Sequence, residues 1–139
     1  MRILALDVGE RRVGIALSDP IGIISTPLPC LERTQLESDI RFILDKSCEY
    51  DVSRIVVGMP VTLRGKVGFQ AKEVESFCES LRCGTDIPII MWDERYSTVE
   101  ARKLTDRRPD RKASKICYSI DSVAAAVILQ AYLESLRHQ

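Results

Sequence analysis

Acidic residues stand at three points of the sequence where metal chemistry could take place. Asp7 ends the first apolar run, the pair Asp93-Glu94 ends the last short apolar run, and Asp121 lies near the start of an apolar C-terminal segment. An ionised carboxylate is expensive to bury without a partner, so the end of a buried strand is a suitable place to hold a cation. Hard divalent ions such as Mg²⁺ take oxygen ligands, often a few carboxylates together with substrate phosphate. Metals held in this way can activate a water molecule and stabilise the leaving oxygen in phosphodiester cleavage.

Each acidic point also has a simpler interpretation. Asp7 could only end a strand and cap a turn. The pair Asp93-Glu94 could form a surface ion-pair cluster with Arg95, which would contribute little stability. Asp121 is favoured near a helix N-terminus by the helix dipole alone. A site is therefore expected only if the fold brings the three points to one edge.

Two β-strands joined by a tight turn are predicted around Asp7. The apolar runs Ile3–Leu6 and Val13–Leu17 flank the polar stretch Gly9–Arg12. The glycine of this stretch lets the backbone turn tightly or approach a ligand closely. A third strand is predicted over Gly22–Cys30, and its two prolines place part of it at an edge or an end of the sheet.

Short strands and amphipathic helices alternate in the rest of the chain. Helices are predicted over Thr34–Glu49, Phe69–Arg82, Ser97–Leu104 and Ser119–Arg137, and strands over Arg54–Gly58 and Ile87–Trp92. Capping boxes at Thr34–Glu37 and Ser97–Glu100 indicate two of the helix starts. Three consecutive strands favour an antiparallel meander, whereas strands preceded by helices favour parallel crossovers. These elements predict an α/β fold, a mixed five-stranded sheet with helices on both faces, as a single domain over residues 1–139.

Composition excludes several kinds of site. The chain has 20 basic and 20 acidic residues, five cysteines without a CxxC pair, and a single histidine, His138, next to its C-terminus. A histidine-based triad, a zinc ribbon and a disulfide framework are therefore not expected, and the thiols should be reduced and mostly structural. No apolar run is long enough to span a bilayer and no signal peptide is present, which predicts a cytoplasmic protein without membrane contact.

Zero net charge also argues against a general electrostatic nucleic-acid binder, which would usually be basic. Local cations are nevertheless present. Arg64 and Lys66 lie in the loop after the fourth predicted strand, and five cations lie in Asp106–Lys115. Individually these are ordinary solvated side chains, but around an acidic centre they could hold a polyanion.

Three pairs of short motifs carry a family resemblance. They are Leu4–Gly9 with Arg12–Ala16, Val56–Pro60 with Gly65, and Asp93–Ala101 with Asp121–Ala126. The string DER-x-ST-x-EA in the last pair is the most specific. On these motifs the chain resembles the YqgF (RuvX) family of bacterial proteins, which comprises Holliday-junction-resolvase-like proteins and pre-16S rRNA nucleases with an RNase H-like fold. The resemblance covers nearly the whole chain.

The resemblance implies a sheet order of 3-2-1-4-5 and a metal site that binds Mg²⁺ or Mn²⁺. The implied metal ligands are Asp7, Asp93, Glu94 and Asp121, and the implied catalytic residues are Asp7, Glu94 and Asp121. Within the acidic pair Glu94 is the favoured ligand, and orienting Arg95 is the alternative role of Asp93. The implied contacts with substrate phosphates are Arg12, Arg64, Lys66 and Arg95. Resolvases place an acid at the end of the fourth strand, where this chain has Gly58-Met59-Pro60, so the DER stretch must complete the metal site.

Three functional hypotheses follow from these residues. The first is a metal-dependent nuclease that processes the 5′ end of pre-16S rRNA in ribosome biogenesis. The second is a Holliday-junction-resolvase-like nuclease in DNA repair, which should be a dimer because four-way junctions are two-fold symmetric. The third is a nucleic-acid-binding factor in transcription or ribosome assembly with little catalysis. The partner is nucleic acid in each case, pre-16S rRNA or branched DNA, and the protein is expected to be a monomer or a homodimer.

Overall fold

The computed structural model describes residues 1–59, 69–93 and 120–137. Within this part the strands are β1 (Arg2–Val8), β2 (Arg12–Ser18), β3 (Ser25–Glu32), β4 (Val52–Met59) and β5 (Ile89–Asp93). The helices are α1 (Leu36–Glu49), α2 (Phe69–Gly84) and α3 (Ile120–Arg137). The predicted helix Ser97–Leu104 and the N-cap residue Ser119 lie outside the described residues. No helix among the described residues is long and apolar enough to cross a membrane.

The strands form one mixed sheet in the order β3-β2-β1-β4-β5. This is the order that the family resemblance implied, and it is confirmed. β1 pairs antiparallel with β2 and β2 pairs antiparallel with β3, whereas β4 is parallel to both β1 and β5. The carboxyl ends of β1, β4 and β5 consequently lie at the same edge of the sheet, where α/β proteins place ligands.

Two apolar layers cover the two faces of the sheet, because alternate side chains of a strand point to opposite faces. On one face Leu4 and Leu6 pack with residues of α1 and α2, among them Ile43 and Phe77. On the other face the small residues Ala5 and Ala16 pack against α3, which contributes two alanines of its own together with larger apolar side chains. Most of the described side chains of α3 are buried.

β3 begins three residues later than predicted, at Ser25 rather than Gly22. A turn that starts at Asp19 occupies the intervening residues. The carboxylate of Asp19 accepts hydrogen bonds from the backbone N–H groups of Ile23 (2.7 Å) and Ile24 (3.0 Å), and these bonds hold the pKa of Asp19 below its usual range. Gly22 adopts a φ of 77° in this turn, a conformation that favours glycine. The predicted edge position of β3 is confirmed.

The capping box predicted at Thr34–Glu37 does not form with Glu37, and Thr34 is bonded to Asp39 instead. α1 begins at Leu36, and the side chain of Gln35, the N-cap residue, makes no capping hydrogen bond. Asp39 takes the predicted role of Glu37, because its carboxylate accepts hydrogen bonds from the backbone N–H (3.2 Å) and the hydroxyl (3.4 Å) of Thr34. Asp39 is buried, so its charge needs nearby donors more than that of the exposed Glu37 does.

Four cysteines lie among the described residues and all four are free thiols. Cys78 is buried in the core between the sheet and α2, and this burial raises the pKa of its thiol to about 11. It is therefore an inert structural thiol at neutral pH. Cys48 and Cys83 are exposed, so the prediction of mostly structural thiols does not hold for them.

Candidate active site

Asp7 is the penultimate residue of β1 and is half-buried at the carboxyl edge of the sheet. Ile3 and Ala5 of the same strand pack against α3. Because side chains alternate along a strand, Asp7 belongs to the same row and lies on the α3 face. Its partner on β2 is Gly14. The structure thus places the first acidic residue of the predicted site at the edge where ligands bind.

Glycines occupy the strand positions on both sides of Asp7. Gly14 lies opposite it on β2. On the other side Leu6 pairs with Val57 of β4, so the next position along β4 is Gly58. Neither glycine has a Cβ, and therefore neither neighbouring strand places a side chain beside the carboxylate at this level. A glycine inside a strand often indicates the close approach of another group, and beside a carboxylate that group can be a cation or a phosphate.

The end of β5 shows which face of the sheet Asp93 occupies. Trp92 packs in the α3 layer, with its ring at 5.3 Å from that of Tyr132 in an edge-to-face arrangement. Asp93 follows Trp92 and pairs with Met59, which packs in the layer formed by α1 and α2. Directly paired residues of neighbouring strands share a face, so Asp93 lies on the face opposite to Asp7.

Asp121 is the second residue of α3, and its side chain lies outside the described part of the structure. The next residue, Ser122, is buried, and its hydroxyl accepts a hydrogen bond of 3.3 Å from the backbone N–H of Ile15. Ile15 pairs with Leu6, the residue before Asp7. The first turn of α3 is consequently attached to the sheet one strand away from Asp7 and at almost the same level.

The turn between β1 and β2 is a close-packed structure at the same edge. The N–H of Gly9 donates to the carbonyl of Arg12 (2.8 Å), and a Cβ on Gly9 would lie 2.8 Å from that oxygen, so only glycine fits here. Arg33 holds the turn from outside. Its guanidinium donates to the carbonyl of Gly9 (2.9 Å), and its backbone N–H donates to the carbonyl of Arg11 (2.8 Å).

This turn presents two exposed cationic side chains, Arg11 and Arg12, at the edge where Asp7 lies. The guanidinium of Arg33 behind them also packs over the ring of Phe77, with 5.5 Å between the guanidinium carbon and the ring centroid. A rigid turn with outward-facing arginines beside a carboxylate can bind a phosphate without having to be ordered first.

The structure describes only part of the predicted site. It places Asp7 and the backbone of Asp121 near each other and puts Asp93 on the other face, whereas Glu94, Arg95, Arg64 and Lys66 lie outside the described residues. Within residues 1–59, 69–93 and 120–137 no three His, Cys, Asp or Glu side chains form a group that could hold a metal ion. The predicted ligand set needs Glu94 and the side chain of Asp121, which are beyond this part.

Three features of the site were missed in the sequence. The glycines at positions 14 and 58 are the clearest, and a glycine inside a predicted strand was the available signal for both. The only signal for Ser122 was a polar residue within a predicted apolar helix, and this did not indicate its partner. Arg33 had no signal in the sequence, because its role depends on the turn of another hairpin coming within reach.

Comparisons with known proteins agree with this architecture. The model of the RuvX family, described as Holliday junction resolvase, matches residues 1–135. A relative from Desulforudis audaxviator is 43% identical over 140 residues, spanning 97% of this chain and 95% of the relative. Another, from Desulforamulus reducens, is 44% identical over 135 residues, spanning 97% and 98%. Both carry the name "Putative pre-16S rRNA nuclease".

Among solved structures, the chain is similar to RuvC from Thermus thermophilus in complex with a Holliday junction substrate. The TM-score is 0.71, and the match covers 99% of this chain and 96% of RuvC at 9% sequence identity. At this identity the likeness concerns the fold alone. The predicted RNase H-like architecture is thereby confirmed.

Proposed function

The chain belongs to the RuvX family of Holliday junction resolvases, and on this premise we propose that it is a metal-dependent nuclease that processes the 5′ end of pre-16S rRNA. The observation that carries the proposal is the position of Asp7. Its carboxylate stands at the carboxyl edge of the central strand, on the α3 face, between two glycines. The names of the curated relatives support the choice of substrate.

The ligands that we propose for Mg²⁺ or Mn²⁺ are Asp7, Glu94 and Asp121. All three are hard oxygen donors, the type that both ions prefer. A divalent ion bound here would supply Lewis acidity, both to a water molecule and to the oxygen that leaves the phosphorus atom. The chain itself contributes the carboxylate of Asp7, and because Gly14 and Gly58 have no Cβ, neither neighbouring strand would hinder the approach of a phosphodiester at this level.

The test is cleavage of a 5′-extended 16S rRNA precursor by the purified protein. We expect cleavage in the 5′ extension with Mg²⁺ or Mn²⁺ and none after a chelator removes the metal, because three carboxylates cannot act on a phosphodiester without a cation between them. Cleaved and intact RNA are separated on a denaturing gel. Tight binding without cleavage in any metal would contradict the nuclease and favour the binding-factor hypothesis.

Cleavage of a DNA four-way junction is the second candidate function, and the description of the family model favours it. The same assay with a synthetic junction in place of the RNA decides between the two substrates. A junction resolvase should cut as a dimer, since its substrate is two-fold symmetric. Junction cleavage that exceeds RNA cleavage, by a protein that sediments as a dimer, would replace the rRNA assignment.

The cations that we propose to bind substrate phosphates are Arg12, Arg64, Lys66 and Arg95. Arg12 is exposed at the first position of β2, on the edge that carries Asp7. We expect Arg12→Ala to weaken RNA binding severalfold and to lower the slope of log affinity against log salt by about 0.7 to 1, the contribution of one phosphate contact. Fluorescence anisotropy at several salt concentrations measures both quantities.

Arg82→Ala is the matched control for this substitution. Arg82 lies in the last turn of α2 and is paired with Glu79 at 2.7 Å. Because the helix runs away from the carboxyl edge of the sheet, its C-terminal turn is far from the proposed RNA surface. An equal loss of affinity in both variants would mean that Arg12 acts through overall charge and makes no phosphate contact.

A further inference from the structure

A line of polar groups attaches α3 to the sheet. Ser122, Ala126 and Gln130 follow one another at intervals of four residues, which puts them on one side of the helix. The hydroxyl of Ser122 accepts a hydrogen bond from the N–H of Ile15 (3.3 Å), and the carbonyl of Ala126 accepts one from the hydroxyl of Ser25 (2.8 Å). The amide of Gln130 accepts from the N–H of Ser25 (3.2 Å).

These bonds add a constraint that the apolar contacts of α3 supply less sharply. Hydrophobic packing is non-directional, so it sets the position of the helix along its own axis less strictly than hydrogen bonds do. The surfaces in contact include Ala5 and Ala16 on the sheet, whose short side chains offer little resistance to sliding. Hydrogen bonds have strict distance and angle requirements, so each of them fixes the turn of the helix that carries it relative to the sheet.

The bond of Ser122 lies at the end of the line that is nearest to the proposed site. The residue is fully buried, and its partner Ile15 lies where the pairing of β2 with β3 shifts register between Val13 and Ile15. The backbone N–H at this irregularity is bonded to the helix. A hydroxyl at position 122 therefore connects the first turn of α3 to the sheet at Ile15, next to the level of Asp7.

We propose that Ser122 is a positioning residue that sets the position of Asp121, along the axis of α3, relative to Asp7. The inference rests on the proposed function, since it gives Asp121 a role only as a metal ligand. Asp121 is adjacent to Ser122 in the first turn of α3, so a shift of this turn moves the backbone of Asp121 relative to Asp7. Groups that orient metal ligands typically affect metal affinity and activity by about 10- to 100-fold.

The experiment compares Ser122→Ala with Gln130→Ala, which removes the bonds at the far end of the same line. Mn²⁺ affinity is measured by electron paramagnetic resonance of the free ion, and kcat and KM are measured for RNA cleavage. We expect Ser122→Ala to lower Mn²⁺ affinity and kcat by about 10- to 100-fold with KM for RNA unchanged. Gln130→Ala should stay at the wild-type level in all three quantities, and Ser122→Thr, which keeps the hydroxyl, should recover the affinity.

Urea unfolding of each variant separates positioning from stability. If Ser122→Ala fails to fold, Ser122→Cys replaces it, because a thiol of similar size is a much weaker acceptor. Equal losses of Mn²⁺ affinity in the Ser122 and Gln130 variants, at equal stability, would overturn the inference and leave the proposed function intact. A wild-type protein that neither binds Mn²⁺ nor cleaves RNA would overturn both.

Discussion

The substitution Asp7→Asn is expected to reduce RNA cleavage by about a thousandfold or more, which corresponds to ~4 kcal/mol of transition-state stabilisation. The strand positions on both sides of Asp7 are glycines, Gly14 and Gly58. No side chain from the neighbouring strands can replace its charge, so the loss should be nearly complete. The amide of asparagine has the same shape but neither the charge nor the second acceptor oxygen that a hard cation prefers. Initial rates of cleavage in Mg²⁺ measure the effect.

The same substitution should leave the protein folded and at least as stable as the wild type. If Asp7 shares a metal site with Glu94 and Asp121 as we propose, the like charges repel one another without the cation, and residues that serve activity in this way commonly reduce stability. Asp45→Asn is the matched control, because Asp45 is exposed on α1, in the layer that covers the other face. Thermal unfolding and RNA binding are measured in parallel. Full activity of a folded Asp7→Asn protein would exclude Asp7 from the metal site.

The position of Asp7 could be predicted from the sequence because it depends on local patterns alone. An apolar run, a carboxylate and a glycine turn follow one another within nine residues, and these features suffice to place an acid at the end of a strand. The mixed strand directions followed from the spacing of the elements, since hairpins need short links and crossovers need helices. The order 3-2-1-4-5 came from the family resemblance, because spacing alone does not choose which side of β1 receives β4.

The face that each residue occupies could not be predicted in the same way. Alternation along a strand shows that Trp92 and Asp93 point in opposite directions, but it does not show which of them points toward α3. That depends on how β5 pairs with β4, which the structure shows through Met59 and Asp93. The sequence therefore left both acids of the pair open as ligands.

Interactions between distant segments could not be predicted from the sequence either. Asp39 replaced Glu37 at the start of α1 because it is buried beside Arg33, whose Nε lies 3.7 Å from its carboxylate. Ser122 reaches Ile15, a residue 107 positions away in the chain. A side chain acquires such a role only when packing brings its partner near, and sequence spacing contains no measure of that distance.

Because β5 pairs with β4 in this register, the adjacent residues Asp93 and Glu94 should differ strongly in their effect on cleavage. Glu94→Gln is expected to reduce cleavage by about a thousandfold, like Asp7→Asn, because we propose Glu94 as a metal ligand. Asp93→Asn should reduce cleavage far less, by at most about 10- to 100-fold, the range of a group that only orients others. The argument rests on Asp93, which shares the face of Met59 and the α1 and α2 layer, away from Asp7.

The two variants are each other's control, since they make the same chemical change at neighbouring positions of one strand end. Mn²⁺ affinity, measured beside the cleavage rate, should fall more in Glu94→Gln than in Asp93→Asn, because a metal ligand contributes to affinity directly. Unfolding in urea confirms that both are folded. If Asp93→Asn were the inactive variant and Glu94→Gln the active one, a carboxylate on the far face would have to reach the cation. The proposed site on the α3 face would then be wrong, although Asp7 could still be its centre.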